Sequence, residues 1–153
     1  MNKSAEYISV GNSSLRLVIT AVIIIFSSTH IFSQNLKDYK WKNRIVLIIS
    51  NTEDSKIFKK QINALEKDLL ELVERKIVLF KILPSKYQLN SQKWKPSKNL
   101  YSTYNTRNEA FKIILIGLDG GIKLNQNTFK TKSELFALID GMPMRSAELR
   151  DKN

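Results

Sequence analysis

IVLIISNTEDSKIFKKQINALEKDLLELVERKIVLFKIL, residues 45–83, decides the fold class. IVLIIS at 45–50 is a continuous β-branched and aliphatic run, the composition of a strand buried on both faces. IVLFKIL at 77–83 has the same character and is stopped by Pro84. Between them Phe58, Ile62, Leu65, Leu69, Leu72 and Val73 form a helical stripe, opened by Thr52 or Asp54 as cap and by acidic residues in its first turn. Strand, helix and strand of this size make a βαβ unit, whose two strands are parallel.

Residues 84–110 are polar, hold two of the three prolines and show no clean period. They are expected to be a long connection with one short helix around Asn99 to Tyr104. FKIILIG at 111–117 is a third strand, LDGG a tight turn and IKLNQ a fourth strand, which together predict a hairpin. Thr131 and Glu134 stand in capping-box spacing, with Leu135, Leu138, Ile139 and Met142 at helical offsets behind them. Gly141 is placed to end that helix and Pro143 to keep it ended. Periodicity thus predicts the α/β class with the order βαβ, crossover, ββα. That is the thioredoxin-like order, in which helices cover a four-stranded mixed sheet.

Residues 17–26, LVITAVIIIF, form an apolar core preceded by Lys3 and Arg16 and followed by the small polar stretch SSTHIFSQ. This layout predicts a signal peptide over residues 1–33, cut near Ser33-Gln34, with a single domain over 34–153. Glu6 departs from a simple basic leader, so a true start nearer Leu15 is an alternative. An uncleaved anchor is disfavoured, because a spanning helix needs about 20 apolar residues and Ser27 to His30 interrupt the run. The expected location is therefore secreted or periplasmic, with a membrane touched only through an uncleaved leader.

The domain is large enough for one modest core. The chain carries a net charge of +11, no cysteine and one histidine, His30, which lies in the leader. Without cysteine there are no disulfides, thiol nucleophiles or Cys-held metals, and loss of His30 removes His-based triads and metal sites. No cofactor or metal is expected.

WKNR at 41–44, GLDGGIKL at 117–124 and FALIDGMPMR at 136–145, in that order, resemble a secreted, peroxiredoxin-like family, the domain-of-unknown-function 4174 family. Related domains occur in sushi-repeat and equarin-type extracellular proteins. The resemblance spans about residues 36–150 and implies a thioredoxin-like fold in an exported protein, with no established activity. The family pattern favours a lysine where this chain has Leu118 and a basic residue where it has Ser146.

In a thioredoxin-like fold the reactive thiol sits where the first strand meets its helix, because helix N–H groups stabilise a thiolate there. The corresponding residues, Ser50 to Ser55, contain no sulfur, and a hydroxyl needs a base that is missing. Asp119 before Gly120 and Gly121 reads as a turn rather than as a metal or phosphate loop. Lys81, Lys86, Lys93, Lys95, Lys98, Arg107 and Lys112 interleave with Tyr87, Trp94, Tyr101, Tyr104 and Phe111, a composition that suits polyanions. Export favours glycans or lipids over nucleic acid as that polyanion.

Asp140, Met142, Pro143, Met144 and Arg145 have two readings. In one they clamp the C-terminus, the methionines against the sheet and Arg145 on Asp140 or free helix carbonyls. In the other they join Trp41, Arg44 and Asp119 in a partner-binding patch. The clamp is the favoured reading. The function expected is non-catalytic binding or a structural role, with another exported protein or an anionic surface as partner. The alternatives are a divergent oxidoreductase relative by fold, and polyanion binding through residues 81–112.

Overall fold

The computed structural model describes residues 35–151; the expected leader, its cleavage point and His30 lie outside them. A 3-10 turn, Leu36–Tyr39, precedes β1 (Arg44–Ser50), α1 (Lys56–Glu66), α2 (Leu69–Glu74) and β2 (Ile77–Ile82). β3 (Lys86–Leu89), β4 (Lys95–Pro96) and α3 (Leu100–Tyr104) follow, then β5 (Phe111–Ile116), β6 (Ile122–Gln126), α4 (Lys132–Asp140) and α5 (Pro143–Arg150). No helix among the described residues is long and apolar enough to cross a membrane.

The strands form one sheet in the order β4-β3-β2-β1-β5-β6. β1 and β2 are parallel, with Arg44 opposite Ile77, and every other neighbouring pair is antiparallel. The central strands are buried on both faces, as their unbroken aliphatic runs require. Val46, Ile48, Leu79, Ile113 and Leu115 meet Phe58, Leu65, Leu72, Leu135 and Ile139 from α1, α2 and α4. Ile45, Leu47, Ile49, Phe80 and Ile114 face the other way, toward Leu36 of the 3-10 turn and Leu100 of α3. Each such side chain contributes about 1.5–3 kcal/mol by leaving water.

The sheet has six strands where four were expected. The extra pair, β3 and β4, comes from the segment read as a connection, which also holds the expected short helix, α3. The long helix of the βαβ unit is in fact two. Asp68 leaves the helical conformation, its carboxylate held by Lys132 Nζ, and α2 restarts at Leu69. The break rotates the stripe, so Leu72 is buried while Leu69, Leu70 and Val73 face solvent.

In the hairpin, Gly120 has φ +80, the left-handed conformation that glycine adopts without Cβ strain. Gly141 closes α4 in a right-handed conformation, and Pro143 then opens α5 rather than merely preventing a helix. Proline suits that first position because its missing N–H would have had no helical partner. The capping box of α4 is formed: Glu134 N–H donates to Thr131 Oγ1 at 3.2 Å, and Thr131 N–H to Glu134 Oε2 at 2.8 Å. Thr131→Ala should lower unfolding stability by about 1 kcal/mol in denaturant titration, and an unchanged midpoint would contradict that role for the box.

Candidate functional site

The junction of β1 with α1 is built from short polar side chains. The N-cap of α1 is Ser55, whose Oγ accepts from Phe58 N–H at 3.4 Å; the expected caps, Thr52 and Asp54, lie in the preceding loop. Ser50 is fully buried. Its hydroxyl faces the carbonyls of Thr52 (2.9 Å) and Ala110 (3.1 Å) and accepts from Thr52 N–H at 3.3 Å. Glu53 is taken by Lys86 Nζ at 2.6 Å and Asp54 by Lys59 Nζ at 2.8 Å. The hydrogen bond and charge of Lys59 hold the Asp54 carboxyl below its usual range. No group bonded to Ser50 is able to take its proton, so the hydroxyl acts as a loop tie rather than a nucleophile.

The opposite end of the sheet carries a dense ionic cluster. Arg145, 1% exposed, donates from Nη2 to Glu74 Oε1 at 2.6 Å and from Nη1 to the Glu74 carbonyl at 3.1 Å. Its Nε reaches Asp140 Oδ1 at 3.3 Å, and Nη1 lies 3.4 Å from Glu148 Oε2. Arg75 grips the same Asp140 through Nε (3.0 Å) and Nη2 (2.8 Å), while its guanidinium lies 4.3 Å from the Phe136 ring centroid. Arg44, 0% exposed at the head of β1, donates to the Arg75 carbonyl at 2.9 Å and to Glu148 at 3.1 Å. Its Nε and Nη2 are buried without a protein acceptor, so Arg44 is less completely satisfied than Arg145.

Burial pushes the Asp140 carboxyl up, but the bonds and charges of Arg75 and Arg145 outweigh it and hold it below its ordinary value. Glu148 is likewise raised by burial and then brought below its usual range by Arg44 and Lys76. Burial works against the Arg145 charge, and Glu74, Asp140 and Glu148 more than restore it.

The residues of the C-terminal motif therefore divide. Arg44, Asp140 and Arg145 come together in the ionic cluster, and Met142 is half-buried against the core. Pro143 is exposed, and Met144 is 38% exposed, so the second methionine does not pack under the sheet. Trp41 is 63% exposed and holds a left-handed φ of 66, its N–H donating to the Leu118 carbonyl at 2.7 Å. Asp119 bonds Lys123 Nζ at 2.7 Å and Gly121 N–H at 3.0 Å; those bonds hold its carboxyl below the usual range.

The basic segment is also divided. Lys81 is buried, 2.5 Å from Glu66 Oε1 and 2.9 Å from Gln88 Oε1, so it belongs to the scaffold. Lys86 sits over the half-buried Trp94 ring at 4.8 Å while paired with Glu53. Lys93, Lys95, Lys98 and Arg107 are exposed, without a carboxylate in ion-pair reach among the described residues.

A family model described as "Domain of unknown function (DUF4174)" matches residues 35–148. The chain belongs to this family. No curated protein matches the DUF4174 chain. Among solved structures it is similar to a reduced 2-Cys peroxiredoxin of Plasmodium vivax, at TM-score 0.55 and 16% identity over 74% of this chain and 72% of that one. It is also similar to thioredoxin peroxidase I of Plasmodium yoelii, at TM-score 0.53 and 17% identity over 73% and 79% of the two chains. The likeness is one of fold: a mixed α/β thioredoxin fold, here in a chain without cysteine.

Several residues that organise this DUF4174 domain carry little signal in sequence. Glu148 stands three residues after Arg145, a helical ion-pair spacing that marks α5 as well as the pair. Arg75 and Glu74 look like ordinary surface charges at a helix end. Gln61 is fully buried on α1, where its amide donates to the Lys130 carbonyl at 2.9 Å and accepts from Lys130 N–H at 2.8 Å. Its only clue is a polar residue on the helix's apolar stripe.

Proposed function

We propose that this chain is an exported, non-catalytic thioredoxin-fold domain that acts by binding. The observation that carries the reading is the β1–α1 junction, where a sulfur-free loop spends its hydroxyls and carboxylates on its own backbone and lysines. Export rests on the apolar core at 17–26 with its basic flank and polar exit. Exposed Trp41, Pro143 and Met144 are the contacts offered to a protein partner, on a frame held by Arg44, Asp140 and Arg145. An exposed aromatic in a strained left-handed conformation is the kind of residue recognition sites retain. A second reading, polyanion binding through residues 81–112, is favoured by the exposed cations Lys93, Lys95, Lys98 and Arg107, which have no carboxylate in ion-pair reach among the described residues.

The purified protein should neither reduce insulin disulfides nor consume peroxide above a blank. Turnover that survives removal of contaminating thiols and metals would overturn the non-catalytic reading.

A further inference from the structure

We propose that the lysine-lined groove along α1 binds an anionic saccharide, a sugar chain bearing sulfate or phosphate groups. The groove has a volume of about 490 Å³ and is lined by Lys56, Lys59, Lys60 and Lys67 with Ala64 and Phe129. The groove is shallow and largely open to solvent, a shape that admits an extended chain along the helix rather than enclosing a compact ligand. Lys56, Lys60 and Lys67 have no carboxylate in ion-pair reach among the described residues, and Lys59 meets only the exposed Asp54. Lys60 Nζ stands 4.3 Å from the Phe129 centroid. The neighbouring Lys130 backbone is pinned by Gln61, which fixes that side of the groove.

The placement of these charges is costly for the helix itself. Lys56, Lys59 and Lys60 occupy the first turns of α1, where no acidic residue stands; the acidic residues expected there, Glu53 and Asp54, precede the Ser55 cap, and among the described residues Asp54 meets Lys59 alone. A helix favours negative charge at that end, by about 0.3–1 kcal/mol for each charge. Cations there weaken the helix and strengthen its attraction for an anion, an arrangement better explained by a ligand than by folding. From Lys56 to Lys67 the helical rise is about 16 Å, long enough to run beside an extended chain.

The lining selects among anions. A bilayer requires large apolar side chains next to the lysines. α1 turns Phe58 and Leu65 into the core, and the groove offers one half-buried phenyl ring. A single nucleic-acid strand gains affinity by stacking bases on open aromatic faces. Here the one aromatic has a face under Lys60. A saccharide needs neither: ammonium groups meet its sulfates or phosphates, and Ala64, the ring edge and lysine methylenes meet its C–H faces. The inference goes beyond the reading above and stands whether or not the β1–α1 junction carries chemistry.

The test is calorimetric titration of the full chain with a heparin octasaccharide over a range of salt. Two variants are compared, Lys56→Gln/Lys60→Gln/Lys67→Gln in the groove and Lys37→Gln/Lys42→Gln/Arg150→Gln, which removes three exposed cations that line neither the groove nor the basic segment 81–112. The groove variant should bind at least about tenfold more weakly at low salt, with a slope of log affinity against log salt flatter by about one per lysine removed. The other variant should stay within about twofold of the parent. A variant limited to Lys56→Gln/Lys60→Gln, which spares Lys67 at the C-cap, should also melt no lower than the parent, since relieving cations at a helix start does not destabilise it. Failure of the parent to bind, equal weakening in both variants, early melting of the Lys56→Gln/Lys60→Gln variant, or preferential binding of single-stranded DNA or anionic vesicles at matched charge would each overturn the proposal.

Discussion

Arg145→Ala is expected to lower unfolding stability by about 2–4 kcal/mol, the cost of breaking a buried ion pair reduced for partners that reach solvent. Arg145 is buried, while the Glu74 and Asp140 side chains are 41% and 34% exposed and are partly rescued by water. What is lost is the joint between three elements: the end of α2 through Glu74, the end of α4 through Asp140, and α5 itself. Arg145→Lys should recover little, because a single ammonium cannot reach acceptors spread around a planar guanidinium. Met144→Ala, at an exposed position, should stay within about 0.5 kcal/mol. Denaturant curves in which Arg145→Ala overlays the parent would remove the clamp and move Arg145 from the frame to the recognition surface beside Pro143 and Met144.

The same variant has a pH signature. Asp140 titrates below its ordinary value in the fold, partly through Arg145, so that ion pair contributes fully above the unfolded carboxylate range and fades as pH falls through the folded value. The gap between parent and Arg145→Ala should therefore be full near neutrality and close below about pH 4. A gap independent of pH would point to lost packing instead of lost ion pairs.

Gln61→Ala is the second large change, expected at about 2–3 kcal/mol because it strips both a donor and an acceptor from the Lys130 backbone. The primary amide works as a one-residue strand, tying the loop before α4 to α1. Gln61→Glu keeps the acceptor and loses the donor, so it should cost less than alanine only if Lys130 N–H is the more demanding partner. Chemical denaturation of both variants checks this, and hydrogen exchange at Lys130 should speed up with the loss. Unchanged exchange would show the loop held by other means.

The parts of the fold written as long apolar runs are legible in the sequence. β1, β2 and β5 each bury both faces, so no other environment suits their composition. The hairpin turn and the capping box are legible because each demands particular residues at fixed offsets. β3 and β4 are not, since KYQL and KP are too short and polar to show a period and exist by pairing with β2 and each other. The break at Asp68 is equally hidden: the stripe continues through it, and only Lys132, sixty-four residues away, draws the carboxylate out. At the candidate site the junction's lack of a nucleophile is readable from composition, and the Arg145–Asp140 contact from proximity. Glu74 and Glu148 are not, because their role depends on where three chain ends meet in space.

The sheet's two borders differ in a way that bears on solubility. β4 is two residues long and ends in Pro96, which has no N–H to offer a neighbouring strand, and its other residue is a lysine. Another copy approaching that border finds a charged, donor-poor rim two residues deep. β6 presents five residues, with Ile122 and Leu124 near its start, and only Lys123 between them to discourage pairing. Ribbon-like self-association of this domain, under crowding or after overexpression, is therefore a one-sided hazard, and a second charge placed on β6 is the economical way to suppress it.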